Sequence, residues 1–170
     1  SLVLRRDGYS KLPKDNRWGT FPGISAGWVL SRENFMESCS NVLSYAKIRA
    51  SYGANGNVSG VLDANGNVVT GLDYYTVQGS YGIMKDKDGK IVPNYNGKVP
   101  LMINDLPNPT MRWEKSYTFE TGFDIGFLNN KYILNFTYYN RHTQDKFAEI
   151  TLPSHSGVSS FLSNNGEVQN

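Results

Sequence analysis

The sequence predicts an all-β protein whose chain forms antiparallel spans of a transmembrane β-barrel. Three observations predict this fold: long segments alternate between apolar and polar residues, charged residues keep to one face of those segments, and short turns alternate with long polar loops. Successive side chains of a strand point to opposite faces, so such alternation gives each strand one apolar and one polar face. Membrane barrels show this pattern over about ten residues per span.

The hairpin at residues 117–141 has the clearest pattern. Its first arm, 117–128, carries mostly aromatic and aliphatic side chains at odd positions, with Glu120 and Asp124 at even positions. The second arm, 131–141, alternates similarly, and Asn129-Asn130 suits the positive φ angles of a two-residue turn. Each arm is about twice the usual strand of roughly 5–6 residues and is long enough to cross a bilayer. A large soluble antiparallel sheet with one buried face is the alternative interpretation.

Three more spans are predicted before this hairpin. Residues 2–4 have the character of a strand, and residues 21–30 and 45–54 alternate like the hairpin arms. Between the last two, residues 31–44 favour a short helix capped by Ser31, because serine is a preferred N-cap residue.

Residues 55–112 predict a long loop with local hairpins. Asn-Gly and Asp-Gly pairs and several prolines interrupt the segment, and residues 68–69 and 74–77 are candidate short strands. A connection of nearly sixty residues is far longer than usual, which indicates function, local structure or both. Residues 86–90 are predicted to form a turn and not a calcium loop, because the glycine is misplaced and no distal glutamate follows.

The last part of the chain predicts one span running on and another beginning. The second hairpin arm is expected to continue towards Ile150, followed by a loop at 152–157 and the approach to a further span at 164–170. About five spans can be counted, whereas closed single-chain barrels have at least eight strands. We therefore expect residues 1–170 to be part of a single, larger β-barrel domain.

The two faces of the spans predict two environments. A charge facing lipid costs a few kcal/mol at the middle of a membrane, so the charged face is expected to line the barrel lumen. Aromatic residues near the ends of spans are expected to form the interfacial girdles. The predicted lumen-facing charges are Lys47, Arg49, Glu120, Asp124, Lys131 and Arg141. The predicted girdle residues are Trp28, Trp113, Tyr117, Tyr132 and Tyr138.

The sequence gives little support for catalysis, a metal site or a cofactor. Glu120 and Asp124 are about 13 Å apart at 3.3 Å per residue, beyond the roughly 6.5–9.5 Å of an inverting glycosidase pair. Ion pairing with Lys131 or Arg141 is the expected role of these carboxylates. Cys39 and the two histidines lack the spacing of zinc ligands. The formal net charge of +2 gives no reason to propose nucleic acid as a partner.

Several segments resemble SusC/RagA-type TonB-dependent outer-membrane transporters of Bacteroidota. The similar stretches are RWGTFPGISAGW at 17–28, KIRASYGANGN at 47–57, NP and RWEK within 108–115, DIGFLNN at 124–130, YYNRHTQD at 138–145, and LP, G and NGE within 152–167. They follow the family's order and spacing and cover most of the chain outside residues 58–105. Each stretch alone is a weak signal, whereas six in register are a specific one.

The resemblance implies an architecture and a function. It implies a barrel of about 22 strands, closed by an N-terminal plug and covered by a SusD-like surface lipoprotein. It also implies TonB-powered import of glycans or peptides across the bacterial outer membrane, with this segment in the later half of the barrel. The plug and the segment that contacts TonB are expected outside these 170 residues.

Tyrosines of the long loop are the candidate cargo-binding residues. Aromatic faces pack against the C–H faces of sugars, and a phenol can add a hydrogen bond. The alternative is that these rings pack the loop or contact the lipoprotein lid. The candidates are Tyr74, Tyr75, Tyr81 and Tyr95.

A function of another class is a secreted, soluble β-sandwich that binds carbohydrate. In that case a second sheet would cover the aromatic face of the hairpin, as sandwiches bury the inner face of each sheet. The rings that would be covered are Phe119, Phe123, Phe127 and Phe136.

Overall fold

The computed structural model describes residues 1–39, 42–62, 65, 67–92 and 95–170, leaving aside the side chains of residues 95 and 154. Ten strands and one short α-helix lie in the described part of the chain. In chain order they are β1 (Leu2–Gly8), β2 (Trp18–Val29), β3 (Leu43–Asn57), β4 (Val61–Leu62), β5 (Val68–Thr70), α1 (Tyr74–Gln78), β6 (Ser80–Ile83), β7 (Leu101–Asp105), β8 (Glu114–Phe127), β9 (Tyr132–Thr151) and β10 (Ser160–Gln169).

Six of the strands form one antiparallel sheet in the order β1-β2-β3-β8-β9-β10. Apart from the long insertion between β3 and β8, each strand lies beside the next one in the chain, and β1 and β10 are the two edges. This architecture confirms the predicted all-β antiparallel fold. The sequence predicted about five spans, and the sheet has six strands, because residues expected only to approach a further span already pair with β9.

The register of the sheet separates apolar from charged side chains. Phe123 lies opposite Ile48 on β3 and Phe136 on β9, whereas Asp124 lies opposite Lys47 and Asn135. Directly opposed residues share a face of the sheet, so the alternation predicted for single strands continues across neighbouring ones. The side of Phe123 is here called the apolar face, and the side of Asp124 the charged face.

The connection between β8 and β9 is a four-residue turn. The last pair of the ladder is Phe127 with Tyr132, and Leu128, Asn129 and Asn130 have φ angles of 50°, 56° and 60°. The predicted positive φ angles at the asparagines are confirmed, but the predicted length of two residues is wrong. The N–H of Leu128 donates to the carbonyl of Val42 at 2.9 Å, so hydrogen bonds to the chain before β3 help fix the wider turn.

Two 3₁₀ helices, Leu30–Arg32 and Asn34–Cys39, connect β2 to β3. The predicted helix capped by Ser31 is therefore wrong in type and start, because the N-cap position of the first helix is Val29 and has no side-chain cap. Side-chain contacts of Trp28 hold the segment instead: its indole N–H donates to Glu33 at 2.9 Å, and its ring meets that of Phe35 edge-on. In the described ranges, no helix has the length and apolar character needed to cross a membrane.

The long insertion between β3 and β8 contains two small hairpins, β4–β5 and β6–β7, with α1 between them. The predicted strand at residues 68–69 is confirmed as part of β5. The strand predicted at 74–77 is wrong, because the Asp73 side chain accepts the Thr76 N–H at 2.9 Å in a capping box that starts a helix. The predicted turn at 86–90 is confirmed, since the Asp86 carboxylate accepts two backbone N–H groups of that segment.

A buried hydrophobic cluster lies at the end of the sheet that carries this insertion. Its members come from three connections and from strand ends: Leu12, Phe21, Leu72, Met111, Trp113, Phe147 and Leu162. The cluster packs the long insertion onto the sheet, and we call this end of the sheet the loop end and the opposite end the turn end.

Trp113 belongs to this cluster and not to an exposed aromatic girdle. The side chain is 7% exposed, its ring packs edge-on against Phe21 at 5.4 Å, and its N–H donates to the carbonyl of Arg17 at 3.1 Å. A buried indole needs a partner for its N–H, and the Arg17 carbonyl supplies one in the protein interior. The girdle prediction for Trp113 is therefore corrected.

Candidate functional site: the charged face of the sheet

An ion-pair network centred on Arg49 occupies the middle of the charged face. Arg49 on β3 lies opposite Gly122 on β8, and Gly122 lies opposite Thr137 on β9. The guanidinium group of Arg49 is 2.6 Å from Glu120 and 3.6 Å from Asp124 and donates to the Thr137 hydroxyl. One side chain thus joins two carboxylates on β8 to the next strand.

Gly122 makes this arrangement possible. A Cβ atom at this position would lie 2.5 Å from the carbonyl oxygen of Phe136 and 3.2 Å from the guanidinium carbon of Arg49. The first distance is shorter than real Cβ contacts allow, so any side chain at residue 122 would displace the β9 backbone. Glycine therefore leaves the space that Arg49 crosses to reach β9.

Five of the six predicted lumen-facing charges share the charged face. Their positions follow from the ladders of β3, β8 and β9, and they are Lys47, Arg49, Glu120, Asp124 and Arg141. That this face lines a lumen remains a prediction. The structure places Lys131 instead in the β8–β9 turn, with its ammonium group 6.0 Å from the centre of the Tyr132 ring.

The partner of the two carboxylates also differs from the expectation. Glu120 and Asp124 pair with Arg49, and neither Lys131 nor Arg141 forms a salt bridge within the described part of the chain. The carboxylates are thus neutralised by a cation that reaches across the sheet from β3. Such a network suits a structural or binding role for the face.

Two adjoining clefts run along the charged face. One has a volume of about 280 Å³ and is lined mainly by β2, β3 and Glu120, and the other, of about 400 Å³, extends to Asn55 and Arg141. They share Ser25, Ser51 and Glu120. We call the two together the polar furrow. Hydroxyl, carboxylate and guanidinium groups give it hydrogen-bond donors and acceptors for a polar ligand or polypeptide.

A second set of polar contacts fixes the point where the long insertion enters β8. Asn164 on β10 accepts the N–H of Arg112 at 3.0 Å and donates to the carbonyls of Arg112 and Asp145 at 3.0 and 2.7 Å. The Arg112 side chain also pairs with Asp145 at 2.6 Å, a hydrogen bond that raises the pKa of Arg112. Asn108 donates to the carbonyl of Leu162 at 2.9 Å.

The predicted cargo-binding tyrosines lie on different elements of the insertion. Tyr74 and Tyr75 are on α1 and Tyr81 is on β6, with exposed fractions of 54%, 59% and 74%. These rings are therefore open to a partner and do not pack the loop; that packing comes from the buried cluster. Tyr95 begins a 3₁₀ turn, and its side chain lies outside the described residues.

Four of the predicted girdle residues share the apolar face. The register places Trp28 opposite Ile48, Tyr132 opposite Phe127 and Tyr138 opposite Thr121, all on the side of Phe123. Tyr117, opposite His142, lies on the same face nearer the loop end. On β9, Tyr138 is the last aromatic residue on this face before Asn140 and His142, so polarity changes there along the strand.

Sequence reasoning missed the residues that hold the insertion in place. Met111 is fully buried, and Asn108 and Asn164 are 7% and 8% exposed. The Asn-Pro pair at 108–109 was recognised only as part of a resemblance, and nothing in the sequence around Asn164 distinguishes it from exposed Asn165. Among the described residues, no group of three or more His, Cys, Asp or Glu side chains is placed to hold a metal ion.

A meander of long strands with one apolar and one charged face, and with a large insertion at one end, defines a segment of a β-barrel wall. The family model described as TonB dependent receptor-like, beta-barrel matches residues 2–170. The chain belongs to this family of β-barrel domains.

Named relatives agree with this membership. The chain is 34% identical over 170 residues to TonB-dependent receptor P3 of Formosa agariphila, covering 100% of this chain and 15% of that protein. It is 31% identical over 171 residues to TonB-dependent receptor SusC of Bacteroides thetaiotaomicron, covering 100% of this chain and 16% of that protein. The chain thus spans only about one sixth of the length of these relatives.

Solved structures show the same fold. The RagAB peptide importer in its closed-closed state contains a chain that superposes with a TM-score of 0.76 and 24% sequence identity. The match covers 99% of this chain and 16% of that one. At this identity the likeness shows the fold alone.

Proposed function

We propose that this chain is part of the barrel wall of a TonB-dependent importer in a bacterial outer membrane. The importer takes up oligosaccharides or peptides together with a SusD-like surface lipoprotein. A plug domain, the remaining barrel strands and the TonB-contacting segment belong to the rest of the protein. The division of the six-stranded sheet into an apolar and a charged face carries this proposal.

The energetics of a bilayer support the proposed orientation of the sheet. Side chains such as Phe119, Phe123 and Phe136 remain substantially exposed on the apolar face, which suits contact with acyl chains. Arg49, Glu120 and Asp124 on the opposite face would be costly in lipid and are stable facing water. Every backbone group of the inner strands is paired within the sheet, as a membrane requires.

The loop end supports the proposed extracellular side. Outer-membrane barrels carry long loops outside the cell and short turns in the periplasm, and the large insertion between β3 and β8 lies opposite the four-residue β8–β9 turn. Exposed Tyr74, Tyr75 and Tyr81 on that insertion are suited to contact cargo or the lipoprotein lid.

The relatives support the cargo class. One relative bears the name SusC, and the superposed structure is titled a peptide importer. The soluble β-sandwich alternative has less support, because no second sheet covers Phe119, Phe123 or Phe136 within the described ranges.

Uptake by the full-length protein tests this function. Cells expressing it should accumulate labelled oligosaccharides or peptides, and dissipating the proton motive force should abolish accumulation. The protein should fractionate with the outer membrane and co-purify with a surface lipoprotein. A freely soluble protein, or uptake that needs no energy, would refute the proposal.

A matched pair of variants tests the loop tyrosines. Tyr75→Ala should weaken cargo binding by roughly tenfold, the effect of losing one stacked aromatic contact of about 1 kcal/mol. Tyr132→Ala, at the turn end, should leave cargo affinity unchanged. Equal affinities for both variants and the parent protein would remove Tyr75 from the cargo site.

A further inference from the structure

The apolar face has a recess of its own between β3 and β8. Its volume is about 350 Å³, and apart from short stretches of backbone its lining is almost entirely apolar. The side chains that line it are Leu30, Ala46, Ile48, Phe123, Ile125 and Phe136. We call this recess the apolar furrow.

Differences in side-chain size create the apolar furrow. Ala46 lies opposite Ile125, and Ala50 lies opposite Thr121, so small residues alternate with the larger Ile48 and Phe123 along the two strands. Leu30, from the connection after β2, lies beside Ala46 and borders the furrow at the turn end; Ala46 is 4% exposed. A flat barrel wall would have no such recess.

We propose that the apolar furrow binds one acyl chain of a phospholipid whose headgroup lies at the turn end. This inference rests on the proposed membrane function and names a specific lipid site on the wall. From Thr121 to Ile125 the furrow follows four residues of β8, about 13 Å at 3.3 Å per residue. A single extended hydrocarbon chain fits a narrow apolar recess of this length.

The surroundings of the furrow identify the headgroup end. Beyond Ile125 the same face continues through Phe127 to Tyr132, and the ammonium group of Lys131 lies beside that tyrosine ring. Trp28, tied to Glu33, provides a second ring near the turn end. Aromatic rings and a cation at the edge of an apolar surface suit the ester and phosphate groups of a phospholipid.

A phospholipid fits these observations better than lipopolysaccharide. The furrow opens towards the turn end, which faces the periplasm in the proposed orientation, and the periplasmic leaflet supplies phospholipids. Lys131 forms no salt bridge within the described residues and is available to a phosphate group.

Native mass spectrometry of the purified full-length protein with dioleoyl phosphatidylglycerol tests the proposal. Ile125→Trp places a larger side chain in the furrow and should reduce lipid affinity roughly tenfold, as expected when about two methylene contacts are lost. Leu134→Trp is the matched control: Leu134 lies directly opposite Ile125 on the same face but does not line the furrow. It should retain the lipid.

The headgroup contact has its own variants. Lys131→Glu should weaken retention of the lipid severalfold, and Lys131→Arg should preserve it. Equal retention by Ile125→Trp and Leu134→Trp would overturn the furrow as the site, and so would preferential retention of lipopolysaccharide. Loss of the lipid site with intact uptake leaves the importer function standing, whereas a protein that never enters the outer membrane refutes the function itself.

Discussion

Arg49 shows how a single side chain organises the charged face. It lies opposite a glycine, and its guanidinium group therefore extends across β8 to two carboxylates and a hydroxyl on β9. Charge-assisted hydrogen bonds of this kind are stronger than neutral ones. The three partly exposed charges are thus held within one network on the wall of the proposed lumen.

Replacing Arg49 should destabilise the barrel moderately. Arg49→Met leaves Glu120 and Asp124 without their cation, at an expected cost of about 1–2 kcal/mol, since both carboxylates keep some access to solvent. Denaturant unfolding of the full-length protein in lipid vesicles measures the change. Lys47→Met is the control, because Lys47 forms no salt bridge within the described residues and should have a smaller effect. Equal effects would contradict the network.

Gly122→Ala should be more disruptive than other glycine substitutions on the same face. The new Cβ meets the Phe136 carbonyl at 2.5 Å, so the expected cost is about 1–3 kcal/mol from strain. At Gly23, also on the charged face, the nearest atom to a new Cβ is Val3 Cβ at 4.0 Å, and Gly23→Ala should be nearly neutral. Unfolding midpoints in the same vesicles compare the two, and similar shifts would refute the steric explanation.

At the scale of elements, the strands follow from alternation and the connections do not. Period-two patterns predict β2, β3, β8 and β9 because a bilayer or a sheet imposes opposite requirements on the two faces. The charged face was predicted for the same reason, apart from Lys131, whose turn places it beside Tyr132.

Connections depend on contacts that are distant in sequence. The β8–β9 turn widens because Leu128 and Asn129 bond to the chain around the start of β3. The helix α1 forms in a tyrosine-rich stretch because Asp73 and Thr76 cap each other. Trp113 becomes buried because the insertion folds over it. None of these partners can be identified from local sequence patterns.

Asn164 offers a test of how the insertion is anchored to the sheet. Asn164→Ala removes three hydrogen bonds to backbone groups of Arg112 and Asp145, and the expected cost is about 1–3 kcal/mol because those groups become unsatisfied. Hydrogen exchange should rise at the Arg112 amide and in the nearby insertion. Asn165→Ala, at an exposed neighbour, should change neither quantity; if both variants behave alike, Asn164 is not the anchor.

At the scale of the whole molecule, one sheet separates two solvents. Its apolar face suits lipid and includes a furrow for a single acyl chain, while its charged face suits water and includes the polar furrow. The family assigns the sheet to a β-barrel, and the insertion places exposed tyrosines at the end proposed to face the outside. Import requires both faces, since the wall must be stable in the membrane and wettable within.

Spin labels at four positions of β8 in the full-length protein, reconstituted in lipid, test this separation most directly. Labels at Phe119 and Phe123 should collide readily with oxygen dissolved in the membrane, and labels at Glu120 and Asp124 should collide with a water-soluble nickel chelate. The accessibility should therefore alternate along the strand with a period of two. Labels at Phe119 and Phe123 that reach neither reagent, because protein covers them, would contradict the barrel-wall account.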